Sequence, residues 1–403
     1  MKCRLLFCTL SILAMVAVSG CWNRKELDTL SIVEAIGIDN EKRGSITLTF
    51  QILKPGEVKA AAGDQEGTHT SGGGGGGGGG RGKVTFIITS KGRTVFEAAR
   101  NATFEAERKL FFAHNKVIVI GEATAKSGIV PLIEFMNRDH EFREGSRIFI
   151  AKGKASDIIK STHEQEKVPA DAIENLARIS ISTSQIPEIN LHDFLKTIDS
   201  KSSDPYIPGI LEVKQDGNSK QRLRLENTAI LRKDKLIGWF DKKETRGLLW
   251  ILGDVKGGII VVKSPKEEPR DVSLEITRAS VKVKPEMMNG RLKINVKIKE
   301  EGNLGEQMSE TVNLTKPDMF KRLEAEKSAV IKDEIGSALA KAQKWGVDIF
   351  KFGEAVHRKY PAEWRKLSAN WPEEFRKLEV NVQVDAKLRR FGQRTYPDKA
   401  END

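Results

Sequence analysis

The chain has 403 residues, 39% hydrophobic and 31% charged, and its 67 basic against 56 acidic side chains leave a formal charge of +11. This describes a folded chain with room for two or three domains and a sizeable core. All three cysteines fall within the first 21 residues, so the rest of the chain can build neither an intramolecular disulfide nor a thiolate metal site.

The start reads as an export signal. Lys2 and Arg4 precede an apolar run from Leu5 to Val18, and the string Val18-Ser19-Gly20-Cys21 closes it. A short basic start, an apolar stretch too short to span a bilayer and small residues before the cut define a cleaved secretory segment. The ending looks like a bacterial lipobox. Cleavage between Gly20 and Cys21 would make a diacylglyceryl-modified Cys21 the first residue of the mature chain. Two acyl chains give stable anchoring where one is marginal. Loss of Lys2 and Arg4 lowers the net charge by two. The basic residues that remain are interleaved with Asp and Glu along the whole chain, with no nucleic-acid recognition motif. Nothing beyond residue 21 is long and apolar enough for a transmembrane helix.

After the signal, residues 21–198 read as an N-terminal mixed α/β domain. Ile46, Leu48, Phe50 and Ile52 alternate with polar neighbours as in a half-buried strand. Residues 55–82, with the glycine run Gly72–Gly80, predict a flexible loop, because glycine loses the most backbone entropy on ordering. The Gly-Lys pair at its end resembles a phosphate-binding loop only superficially: Val84 stands where a metal-binding hydroxyl is needed, and no strand precedes it. Strand-like Val84, Phe86 and Ile88 follow. A helix starts at Thr94, where Thr94-x-x-Glu97 forms a capping box. Lys116–Ile120 predicts a doubly buried strand. A helix over Leu132–Asn137, a strand over Arg147–Ala151 and helices over Pro169–Arg178 and Leu191–Ile198 complete the region.

Residues Asp199–Gly217, rich in Ser, Asp, Pro and Gly, read as a boundary or long turn. A middle domain over 199–262 is expected to hold a hairpin turning at Lys233-Asp234, a helix over Lys242–Leu252 and a strand over Gly258–Val262. A charged linker over 263–270 follows. In the C-terminal domain, 271–403, Val272, Leu274 and Ile276 alternate, and Val281 and Val283 continue on the opposite parity, which predicts a bulge near Thr277. Asn289-Gly290 is a hairpin turn. Leu292, Ile294, Val296 and Ile298 form the return strand. Thr315-x-x-Asp318 predicts the cap of a long helix through Ala342, a second helix carries Ile349, Phe352 and Val356, and Leu378–Val384 is the last strand. The fold class is α+β, with an antiparallel C-terminal sheet packed against long helices.

No chemistry-bearing constellation emerges. No two of the six histidines stand three or four residues apart, no Gly-x-Ser-x-Gly elbow exists, and Cys21 is committed to lipid, so catalytic residues, metal ligands and cofactors are all expected to be none. Of the C-terminal aromatic residues, Trp345 and Phe352 read as core. Trp364 and Trp371, near the ends of elements, are candidate partner contacts.

Several strings together resemble the Ger(x)C family, the C subunits of nutrient germinant receptors in spore-forming bacteria. These are Cys21-Trp-Asn-Arg-Lys-Glu-Leu27 with Ile32–Asp39; Gly92-Arg93-Thr94; Leu110–Glu122 with His114; Arg143–Gly153; Leu236-Ile237-Gly238-Trp239; and Trp345-Gly346-Val347-Asp348-Ile349-Phe350 followed by Gly353-Glu354, His357-Arg358, Pro361 and Trp364. The polyglycine insert departs from the family. The resemblance implies a three-domain, non-enzymatic lipoprotein on the outer face of the inner spore membrane, working with integral A and B subunits. The alternative is a solute-binding lipoprotein that captures a small nutrient itself.

Overall fold

A computed structural model describes residues 30–41, 44–54, 84–139, 141–161, 166, 168–214, 221–265, 270–308, 314 and 316–390. The chain is mixed α and β, built on two sheets. The first contains β1 (Leu30–Asn40), β2 (Ile46–Leu53), β3 (Thr85–Gly92), β4 (Lys109–Phe111), β5 (Val117–Gly121), β6 (Arg147–Ala151), β7 (Tyr206–Lys214), β8 (Gln221–Arg232) and β9 (Lys235–Phe240). Its order is β3-β2-β1-β5-β6-β7-β8-β9, with β4 paired to the start of β1. The central pairs β1–β5, β5–β6 and β6–β7 are parallel and the flanking pairs antiparallel.

A parallel centre needs cover on both faces, which explains the unbroken apolar run of β5 and the burial of β1 from Leu30 to Asp39. Ile36, Ile118, Ile120 and Ile148 meet helices α1 (Val95–Ala102), α2 (Glu122–Ser127), α3 (Val130–Arg138) and α6 (Leu191–Ile198) on one side. Ala35, Val117, Val119 and Phe149 meet α4 (Ala155–Lys160) and α5 (Pro169–Ser182) on the other. Neither α4 nor α5 has a side-chain cap on its own N-cap residue. Strand residues supply the caps instead. The Asp39 carboxylate accepts from the Ala155 and Ser156 N–H groups at 2.9 Å, and Gln51 Oε1 accepts from Ala170 N at 2.8 Å. Half of the expected capping box forms at α1: Thr94 accepts from Glu97 N, while Glu97 Oε2 accepts from Arg93 N at 2.7 Å.

The second sheet is β10 (Gly258–Lys263), β11 (Asp271–Met288), β12 (Arg291–Gln307) and β13 (Glu379–Arg390), in that order. The predicted bulge is present: the β11–β12 register shifts between Ile276 and Arg278, and Thr277 Oγ1 donates to the Glu301 carbonyl at 2.9 Å. Asn289 and Gly290 both have positive φ, as a primed hairpin turn requires. Helices α7 (Lys242–Leu252), α8 (Pro317–Trp345), α9 (Phe352–Lys359), α10 (Pro361–Leu367) and α11 (Trp371–Lys377) bury their apolar faces in this second core. Helices α7 and α8 pack closely at Gly247, where a Cβ would collide with the Glu334 carbonyl. Beside it, Arg246 Nε donates to both oxygens of the Glu334 carboxylate and Trp250 Nε1 to one of them at 2.9 Å.

Three expectations change. Residues 199–217 contain strand β7 rather than a turn. Pro208 and Gly209 read as breakers, but they sit at the register shift of the β7–β8 pair, where proline costs no ladder bond. A side chain at Gly209 would strike Trp239 and the Glu226 carbonyl. The last strand pairs with β12 in parallel, because the helices between them return the chain to the end where β12 began. The sheet is therefore antiparallel over three strands and mixed overall. Helix α8 starts at Pro317, with Lys316 at the N-cap and no side-chain cap. Thr315 and the polyglycine segment lie outside the described residues, as do half of the expected linker (266–269) and residues 1–29. Residues 199–262, expected as a middle domain, give β7, β8 and β9 to the first sheet and α7 and β10 to the second core.

Candidate functional site

The tail string Trp345–Phe350 forms the joint between the two sheets. Gly346 ends α8 in the left-handed conformation (φ 67°). Trp345 lies over Gly238 of β9, where a Cβ would come within 2.8 Å of the indole, and its ring is 5.9 Å from that of Phe240. Lys341 Nζ sits 5.3 Å from the Trp345 ring. The next turn points inward and is organised by one carboxylate. Asp348 Oδ1 accepts from Phe350 N at 3.1 Å and Phe352 N at 3.2 Å; Oδ2 accepts from Gly353 N at 2.7 Å and Trp371 Nε1 at 3.0 Å. This carboxylate caps α9, whose own N-cap, Lys351, lies at positive φ without a side-chain bond.

Asp204, from the turn before β7, completes the joint. Its Oδ2 accepts from Asp348 N, and its own N–H donates to the Asp348 carbonyl, both at 2.9 Å. Burial pushes Asp348 up to about 7, against the donors from Gly353, Phe352 and Trp371, and the Asp204 charge adds to the rise. Asp204 is also raised by burial, against hydrogen bonds from the Asp348 and Lys233 backbone.

A cleft of 720 Å³ opens nearby, lined by residues that include His114, Lys116, Arg147, Glu188, Asp254 and Lys256. Two groups of ion pairs run through it. Glu188 accepts from Lys256 at 2.9 Å and Arg147 at 3.1 Å, and these pairings hold its carboxyl low. Lys116 binds Asp171 at 2.6 Å and Glu34 at 2.7 Å. Burial opposes its charge, but the two carboxylates prevail and raise it. Burial raises Asp254. Among the described residues no group of three or more His, Cys, Asp or Glu is arranged to hold a metal ion. The cleft can admit a small polar solute; it presents no nucleophile with an adjoining base.

The residues singled out in the sequence fall as follows. Gly20 and Cys21 lie outside the described residues. Trp364 and Trp371 are brought together, edge to face at 5.1 Å, but only 5% and 4% exposed. Their expected role as partner contacts is corrected by this burial. The Trp371 indole is held inside by its bond to Asp348, and Trp364 stacks on His357 at 5.8 Å. Phe352 is core as expected, while Trp345 is half-buried at the joint. Asp204 and Asp348 were not singled out. The one local signal was an aspartate four residues ahead of the α9 start, a position from which it can cap.

Comparison with known proteins gives the same answer across the chain. Residues 23–211 match the family described as spore germination protein N-terminal domain, and residues 226–392 match spore germination B3/GerAC like, C-terminal. Spore germination protein KC of Bacillus subtilis (strain 168) is 30% identical, over 99% of this chain and 98% of that protein. Spore germination proteins B3 and A3 of the same organism are 24% and 25% identical over 94% and 97% of this chain, and 96% and 98% of their own lengths. The crystal structure of the GerBC protein superimposes with a TM-score of 0.55 at 20% identity, over 88% of this chain and 96% of that one, which establishes a shared fold. The chain therefore belongs to the GerAC-like, or Ger(x)C, family of spore germination C subunits.

Proposed function

We propose that this chain is a non-enzymatic subunit of a spore nutrient germinant receptor. Its lipid on Cys21 holds it at the outer face of the inner spore membrane beside integral A and B subunits, and it is required for the germination signal. The observation that carries this reading is the end-to-end match to spore germination protein KC. The lipobox ending at Cys21 supports the tether. Among the described residues no helix is long and apolar enough to cross a membrane. Spores lacking the gene are expected to lose the response to at least one nutrient; normal germination with every nutrient, in a strain without paralogues, overturns the reading. Cys21→Ala is expected to abolish incorporation of labelled lipid and to release the chain from the membrane fraction. Labelled lipid retained by the variant contradicts the anchor.

A second reading rests on the charged cleft, whose volume suits a small polar solute. Under it the chain would capture the nutrient directly. Calorimetry of the chain against candidate nutrients separates the two: the receptor-subunit reading expects no heat at millimolar ligand.

A further inference from the structure

We propose that the outer face of the second sheet docks on an anionic lipid surface through a strip of four lysines. Register and exposure define the strip. Lys282 of β11 stands directly opposite Lys297 of β12; Lys284 lies one row nearer the hairpin turn, and Lys299 one row further from it. All four are exposed, while the alternate residues Val283, Val296 and Ile298 face the helices. Same-face residues recur about every 7 Å along a strand and strands lie about 5 Å apart, so the ammonium groups share a band roughly 14 Å long.

The band lacks compensation among the described residues. Three carboxylates on this face are engaged elsewhere: Glu379 binds Lys293 at 2.5 Å, Glu301 binds Arg389 at 2.6 Å, and Asp385, opposite Lys299 in register, lies 3.6 Å from Lys387; Glu286 stands opposite Lys293, one row beyond Lys284. Among the described residues none of the four strip lysines has a carboxylate within ion-pair distance. Like charges directly opposite on a sheet destabilise it, so the fold carries a cost that an external anion would relieve.

The chemistry favours lipid over protein as the occupant. Protein interfaces are enriched in arginine and aromatic rings and depleted in lysine. This strip is lysine only, with Asn295, Asn381 and Gln383 beside it and no aromatic residue in its rows. Lysine is a compact charge on a flexible stem, suited to a diffuse plane of phosphates rather than a shaped partner. Each basic residue brought to an anionic leaflet strengthens partitioning by severalfold.

The test uses the chain from Trp22 onward, which retains every described element and makes the outcome independent of Cys21. Cosedimentation is measured with vesicles of phosphatidylcholine alone and of phosphatidylcholine mixed with phosphatidylglycerol. Binding is expected only to the anionic vesicles and is expected to fall with added salt. Lys282→Gln/Lys297→Gln should weaken it about tenfold or more. The matched control Lys332→Gln/Lys344→Gln, on exposed positions of α8, should leave it within about twofold. The proposal is overturned if the parent ignores anionic vesicles, if the strip variant binds undiminished, or if the control loses as much. Binding to immobilised polyglutamate without binding to anionic vesicles assigns the strip to an acidic protein and also overturns it.

Discussion

Asp348→Ala is expected to unfold the C-terminal half at markedly lower urea concentration, a loss on the order of 3–5 kcal/mol. The substitution leaves three backbone N–H groups and the Trp371 indole without an acceptor in a water-excluded joint. Each unpaired buried donor costs the desolvation that folding imposed on it, about 1–3 kcal/mol. Asp348→Asn tests the charge. Burial raises the folded carboxyl to about 7 from an ordinary 3.8. Between those values the folded chain holds a proton that the unfolded chain releases. This group therefore stabilises most at pH values below the unfolded pKa, and that stability drains away as pH rises towards 7. The span corresponds to roughly 4 kcal/mol. Urea midpoints measured from pH 4 to 8 should fall more steeply with pH in the parent than in Asp348→Asn. Parallel slopes would contradict the assignment.

The second large effect concerns Lys327 and Glu300, both with fully buried side chains. Lys327 Nζ donates to Glu300 Oε1 at 2.7 Å and to the Glu275 carbonyl at 3.0 Å, and a Cβ at Gly302 would collide with it. Glu300 Oε2 has no hydrogen-bond partner among the described residues. Burial lowers Lys327 and raises Glu300, in each case against the attraction of the other. Taking one partner away strands a buried charge, so Lys327→Met should cost about 3–5 kcal/mol. Replacing both, as Lys327→Met/Glu300→Leu, removes the stranded charge and should restore stability to within about 1 kcal/mol of the parent. A double variant as unstable as the single would show that the pair does more than neutralise itself. Urea unfolding of the parent, both single variants and the double variant closes the cycle.

The sequence is most legible where one local rule decides the structure. The alternation of Leu292–Ile298, the Asn289-Gly290 turn and the parity change at Thr277 each predict what is found. Strand β7 was hidden because Pro208 and Gly209 are punctuation in most contexts, and only the bulge in the β7–β8 pair accommodates them. The parallel pairing of β13 depends on where the intervening helices deliver the chain, which no strand pattern encodes. At the Asp348 joint the spacing to α9 announces only a cap; the partners at 204 and 371 are remote in sequence and no local pattern encodes them. Glu300 is different. It follows Ile294, Val296 and Ile298 on the inward parity of β12, and a carboxylate there calls for a buried cation. Trp364 and Trp371 lie near element ends, which reads as surface, yet short helices fold over one another and enclose both rings.

A tethered subunit of a membrane receptor must contact its integral partners in the membrane. Crosslinking in isolated spore membranes, with an affinity tag on the C-terminus, detects that contact. The tagged chain is expected to be recovered only with detergent and joined to two integral membrane proteins. Recovery without detergent, with crosslinks to itself alone, would contradict the tethered-subunit reading.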